Sequence, residues 1–216
     1  LTYIKDFNKH HLNAMAGASW QARKYTYFSA SDSKFMDDYY GFYNLGAGTE
    51  KPSVGSDYDK WAMNSYFLRL AYNYNNTYMA TVTGRYDGSS KFGENNKYAF
   101  FPSVGLGWLA SNEKFLENNK TISKLKLHTS FGMTGNSEIG TYRSIATMSQ
   151  STTILKGSMV TVSYLDKMPN ANLKWEKLAQ FDLGFELGLF NNRLNFDVSW
   201  YYKYTIDLLL TRPVLE

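Results

Sequence analysis

Cysteine is absent from the 216 residues, which excludes a disulfide scaffold and any Cys-ligated zinc or iron–sulfur site. Proline is scarce, at 4 residues against 16 glycines, so neither a collagen-like nor a Pro-rich disordered chain fits. No apolar run approaches the roughly 20 residues a transmembrane helix needs. Leu1–Phe7 does not read as a secretory leader, having no basic start followed by an apolar stretch. Neither sign of charge dominates: 23 Lys+Arg stand against 19 Asp+Glu, and the net +4 is scattered. That excess is too small for a nucleic-acid partner. Aromatics are abundant instead, at 17% of the chain. The negative mean hydropathy suggests a water-soluble protein, yet a membrane β-barrel alternates apolar with polar residues and averages to the same sign.

The period along the chain is two. From Arg193 to Asp207, the residues Leu194, Phe196, Val198, Trp200, Tyr202, Tyr204 and Ile206 make one apolar face. Asn195, Asp197, Ser199, Tyr201, Lys203 and Thr205 make the other. Such alternation predicts a strand with unlike faces. The pattern recurs around Phe181–Leu189, Tyr66–Tyr72, Tyr78–Asp87, Ser103–Trp108, Leu125–Phe131 and Leu12–Gln21. With the short Leu1–Phe7, eight strands are expected. Asn8-Lys9-His10, Asn75-Asn76-Thr77 and Asn191-Asn192 read as tight turns, because Asn tolerates positive φ. Ser111–Lys124 is a longer turn on the same side, with Glu113–Asn118 as a single helical turn. Ser31–Lys60, Gly88–Ala99 and Thr134–Leu173 are expected as long loops at the opposite end. Short turns at one end and long loops at the other fit an all-β, antiparallel transmembrane barrel wall.

The two faces differ in character. Leu68, Leu106, Leu183, Phe196 and Trp200 are expected to meet lipid, with aromatic girdles near the strand ends. Arg69, Arg85, Lys126, His128, Asp182, Glu186 and Asp197 are expected to face a lumen. Two rivals share the pattern: a soluble β-sandwich binding glycans through loop aromatics, and a small closed barrel with a structural or adhesive role. No residues are assigned to catalysis, metal or cofactor. His10 and His11 point to opposite faces of a strand. Asp37-Asp38 and Asp57-Tyr58-Asp59 lack the spacing and central Gly of a calcium loop. Ser89-Ser90 beside Asp87 has no partnered His and reads as turn chemistry. The exposed aromatic run Tyr39-Tyr40-Gly41-Phe42-Tyr43 is the candidate contact for substrate or partner, against the alternative that it packs on its own loop.

Several stretches carry a family signature. Arg85-Tyr86-Asp87-Gly88-Ser89-Ser90-Lys91-Phe92-Gly93 is followed by Asn95-Asn96-Lys97-Tyr98-Ala99-Phe100-Phe101-Pro102-Ser103. Gly107-Trp108, Glu113-Lys114-Phe115, Leu125-Lys126-Leu127 and Ser130 to Asn136 come next. Pro169-Asn170, Leu173 to Glu176, Phe190 to Leu194 and Tyr201 to Leu209 complete the order. This set resembles the SusC/RagA family of TonB-linked outer-membrane transporters of Bacteroidetes. The resemblance implies a barrel of about 22 strands around a plug. It also implies import of oligosaccharides or peptides, energised through TonB contacting the plug, with a SusD-like lipoprotein as extracellular partner. Residues 1–216 are then expected to be a slice of the barrel domain in the bacterial outer membrane, with the plug and remaining wall outside it. Such a slice should be an open arc, with no ladder between its first and last strands.

Overall fold

A computed structural model describes residues 1–117 and 119–210. Ten strands follow in order: β1 (Thr2–Phe7), β2 (His10–Ser31), β3 (Ser53–Tyr74), β4 (Tyr78–Ser89), β5 (Tyr98–Leu109), β6 (Ile122–Asn136), β7 (Thr147–Leu155), β8 (Ser158–Lys167), β9 (Glu176–Leu189) and β10 (Leu194–Ile206). Eight form one antiparallel sheet in the order β1-β2-β3-β4-β5-β6-β9-β10, while β7 and β8 pair only with each other. Among the described residues no ladder joins β1 to β10, as expected of an open arc. That disposes of the small closed barrel. The soluble sandwich fails as well: among the described residues the apolar face of the eight-stranded sheet is exposed, with Leu68, Leu106, Leu183, Phe196 and Trp200 uncovered.

The turns follow from residue chemistry. Asn8, Asn75, Asn76, Asn191 and Asn192 all have φ between 52° and 60°, where asparagine is tolerated best among non-glycine residues. These positions sit in the short connections at one end of the sheet. The longer connection after β5 opens with a 3₁₀ turn at Ala110–Asn112, and Leu116 and Glu117 donate backbone hydrogen bonds to Glu113. Of the helical turn expected over Glu113–Asn118, Asn118 lies outside the described residues.

Two connections at the other end differ from expectation. The β2–β3 ladder runs unbroken to Ser31↔Ser53, so the loop is 32–52 rather than Ser31–Lys60. Its outer part is a ribbon beyond the end of β4, with neither face buried, so its strands carry no apolar alternation to betray them. Thr134–Leu173 is not a plain loop either. It contains the β7–β8 hairpin, turned at Lys156-Gly157, where both residues have positive φ as a two-residue hairpin turn demands.

Little of the chain is buried within itself. The compact core sits at the loop end of the inner face, where Phe92, Ala99, Phe101 and Trp175 meet. Phe92 stacks on Trp175 at 4.5 Å, and Phe101 meets the same indole edge-on at 5.5 Å. The Trp175 indole N–H donates to the Lys97 carbonyl at 3.0 Å, satisfying the one polar group this ring buries. Backbone bonds from Gly93 to Leu173 and from Asn95 to Ala171 lash the β4–β5 connection to the segment entering β9. Gly93 is needed for this approach: a Cβ there would lie 2.2 Å from the Ala171 carbonyl oxygen.

Candidate functional site

The register settles which residues share a face. Tyr72, Ala80, Leu106, Thr129, Leu183 and Trp200 are successive cross-strand partners and so point the same way. Leu68 and Phe196 lie on that face too, and all five expected apolar positions (Leu68, Leu106, Leu183, Phe196, Trp200) are exposed. The neighbouring residues Asp182, Arg69 and Asp197 project from the opposite face, together with Arg85, Lys126, His128 and Glu186.

Aromatics bound the apolar face. Near the short turns, Phe7, His10, Tyr74, Tyr78 and Trp108 are consecutive partners across five strands. Tyr78 donates to Glu113 at 2.6 Å, and the Trp108 indole reaches the same carboxylate at 3.3 Å. His10 stacks on Phe7 at 4.9 Å and its Nδ1 lies 2.6 Å from the Tyr72 hydroxyl. Toward the loops, Tyr66, Tyr86 and Phe100 form the second row, with Tyr98 stacked on Tyr86 at 5.1 Å. Between the rows lie aliphatics: Leu68, Leu70, Val82, Val104 and Leu106. Tyr66 and Tyr74 are eight positions apart, about 27 Å along the strand and about 20 Å of height at the 35–45° tilt of membrane barrels. That height suits the apolar band of an outer-membrane barrel.

The inner face is polar and internally paired. Glu186 takes Lys124 at 2.6 Å and Lys126 at 2.7 Å, with Asp197 as its cross-strand neighbour on β10. Asp182 accepts hydrogen bonds from Ser130 at 3.1 Å and Gln180 at 2.6 Å. The Arg85 Nε–H spans both Asp87 oxygens at 2.8 Å, and its Nη2 donates to Ser65 at 3.1 Å. His128 lies over Gly184, where a Cβ would fall 2.5 Å from its Nε2. Below the Trp175 cluster, a hollow of about 450 Å³ is lined by Arg85, Asp87, Phe101, Ser103 and Thr134. This face thus carries charge, hydroxyls and small residues.

Tyr39, Tyr40, Phe42 and Tyr43 stand in the 32–52 loop, with the last two inside the 3₁₀ segment Gly41–Ala47. Tyr39 and Tyr43 are each 85% exposed. The rings pair with sequence neighbours, Tyr39 with Tyr40 and Phe42 with Tyr43, and the loop does not bury them. Ser89 and Ser90 spend their hydroxyl oxygens as acceptors for the backbone N–H groups of Lys91 and Ala62. Among the described residues no three His, Asp or Glu side chains converge as a metal site would require.

The family profile described as TonB dependent receptor-like, beta-barrel matches residues 2–216. TonB-dependent receptor P3 of Formosa agariphila is 37% identical over the whole chain, which covers 22% of that protein. TonB-dependent receptor SusC of Bacteroides thetaiotaomicron is 36% identical over 67% of this chain and 15% of its own length. The structure of the RagAB peptide transporter superposes with a TM-score of 0.88 at 31% identity, over 99% of this chain and 24% of that one. The chain thus spans about a fifth of the length of the curated relatives it matches. Its main sheet is a length of transmembrane barrel wall in the outer membrane, and the chain belongs to the TonB-dependent receptor-like β-barrel family.

Proposed function

We propose that this chain is a wall segment of an energised nutrient importer rather than an enzyme. Its apolar face, with Leu68, Leu106, Leu183, Phe196 and Trp200, meets lipid. Its polar face, with Arg69, Arg85, Lys126, His128, Asp182, Glu186 and Asp197, lines the lumen. The long connections are extracellular and the asparagine turns periplasmic. The observation that carries this reading is the two-sided sheet: an aliphatic band between two aromatic rows, backed by paired charges and hydroxyls. The cargo is an oligosaccharide or a peptide, and RagAB, a structural neighbour, is described as a peptide transporter. TonB supplies the energy through a plug held in the complete barrel, and a SusD-like lipoprotein is the extracellular partner.

Tyr39, Tyr40, Phe42 and Tyr43 supply an aromatic contact to that lipoprotein or to cargo, since exposed tyrosine rings gathered on one loop are suited to act as binding hot spots. Changing all four to alanine in the complete receptor should reduce lipoprotein co-purification or uptake of labelled cargo at least tenfold. Heat-modifiable barrel migration should stay unchanged. Undiminished uptake and co-purification in that variant would remove the loop from the reading. Persistence of uptake after deletion of the whole receptor gene would remove the importer itself.

A further inference from the structure

Beyond the aromatic row nearest the loops, β2 and β3 continue as a two-stranded ribbon from Ala22↔Ala62 to Ser31↔Ser53. On the face continuous with the lipid-facing band, Lys24 and Lys60 are direct cross-strand partners. Like charges placed opposite one another weaken a ladder. Among the described residues neither lysine is in an ion pair, and both are exposed. Residues 20–31 and 53–64 put no carboxylate on this face, because Asp57 and Asp59 alternate to the other side. Lysines that only guard a free edge have no need to be opposed. Lys24 also lies over the Tyr58 ring at 5.8 Å, and Trp20 stands four positions below it, 75% exposed.

Height decides what the pair meets. Lys24 is four residues beyond Trp20, roughly 13 Å along the strand and roughly 10 Å higher at barrel tilt. Aromatic rows mark the headgroup boundary, so the lysines reach into the anionic layer of the outer leaflet. We propose that Lys24 and Lys60, flanked by Tyr58 and Trp20, bind a phosphate-bearing headgroup of an outer-leaflet lipid. The anion between the two ammonium groups removes their repulsion, and the rings cover the junction of headgroup and acyl chain. This site rests on the reading that the Leu68–Leu106–Leu183 face meets lipid.

The test uses the complete receptor in nanodiscs, with bis-phosphorylated lipid A as probe and its dephosphorylated form as reference, read by native mass spectrometry. Wild type should retain the phosphorylated probe at least tenfold better than the Lys24→Ala/Lys60→Ala variant, on the scale of two basic contacts to an anionic headgroup. Lys60→Glu creates a cross-strand ion pair with Lys24, so it should keep or raise the melting temperature in detergent while losing the probe. Equal retention by wild type and both variants overturns the proposal, as does equal retention of both forms of the probe. Displacement of the probe by millimolar inorganic phosphate alone would also overturn it, by assigning the pair to a soluble anion. A fluorophore at Leu106→Cys, in a receptor with any cysteine elsewhere replaced by serine, separates the two levels. Quenching there by brominated acyl chains with no difference in retention sinks the lysine site alone. Absence of quenching sinks the facing as well.

Discussion

Val104→Arg should lower the unfolding free energy of the complete barrel by about 2–4 kcal/mol. Val104 is midway along β5 between Phe100 and Trp108, and its partner Val82 is midway between Tyr78 and Tyr86. Leu70, paired with Val82, is midway between Tyr66 and Tyr74. Three strands therefore place the same row at equal distance from both aromatic boundaries. With this face against lipid, as proposed, an arginine there would have no aqueous neighbour and no carboxylate beside it. At Ser103, one residue away and on the opposite face, the same change should cost less than about 1 kcal/mol, because the side chain enters a hollow where the Asp182 carboxylate and Gln180 are within the lining. Urea unfolding in lipid vesicles measures both. Equal costs at the two positions would contradict the facing.

Phe92→Ala should cost about 3–5 kcal/mol of the stability of the loop-end cluster. The ring is 1% exposed and lies against Trp175, which is held in place by its bond to Lys97. Its removal opens a cavity that small neighbours such as Ala99 cannot refill. The loss should be local, because Phe92 and Trp175 both stand in irregular connections outside the strands, and only Ala99 and Phe101 belong to a ladder. Amide exchange should accelerate at Gly93 and Asn95, whose N–H groups bond across to Leu173 and Ala171, while β4 and β5 keep their protection. Protease should then cut within residues 137–175 faster than in wild type. Phe92→Leu, which keeps most of the volume, should show a much smaller effect. Unchanged exchange at Gly93 in the alanine variant would mean that the ring does not hold the two connections together.

The wall itself was legible in the sequence because each of its strands has one apolar and one polar side. Leu194–Ile206 shows this best: a slip of one residue would move Asp197 and Lys203 onto the apolar face and Phe196 onto the polar one. The asparagine turns were legible for an equally local reason, their positive φ. Ser53–Lys60 was not, since a ribbon wet on both faces is held by backbone hydrogen bonds and needs no alternation. The β7–β8 hairpin hid in the same way, although Lys156-Gly157 between runs rich in β-branched residues was a usable signal. The Phe92–Trp175 contact joins positions far apart in sequence through two irregular connections, and no periodicity reports such a meeting. His10, read from the sequence as the last residue of a tight turn, opens β2 instead. Its place in the aromatic row follows from the β1–β2 and β2–β3 registers, which fix it beside Phe7 and Tyr74.

The facing of the sheet is tested most directly at two adjacent residues. Leu183→Cys and Asp182→Cys, each labelled with the same small fluorophore in the complete receptor, are compared in vesicles containing brominated lipids. Leu183 shares its face with Trp200 and Leu106, whereas Asp182 lies among Ser130 and Gln180 on the other side. The label at 183 should be quenched several-fold by bromine and hardly at all by iodide in the water phase, with the reverse at 182. Equal quenching at both sites, or bromine quenching confined to 182, would contradict the assignment of lipid and lumen to these faces.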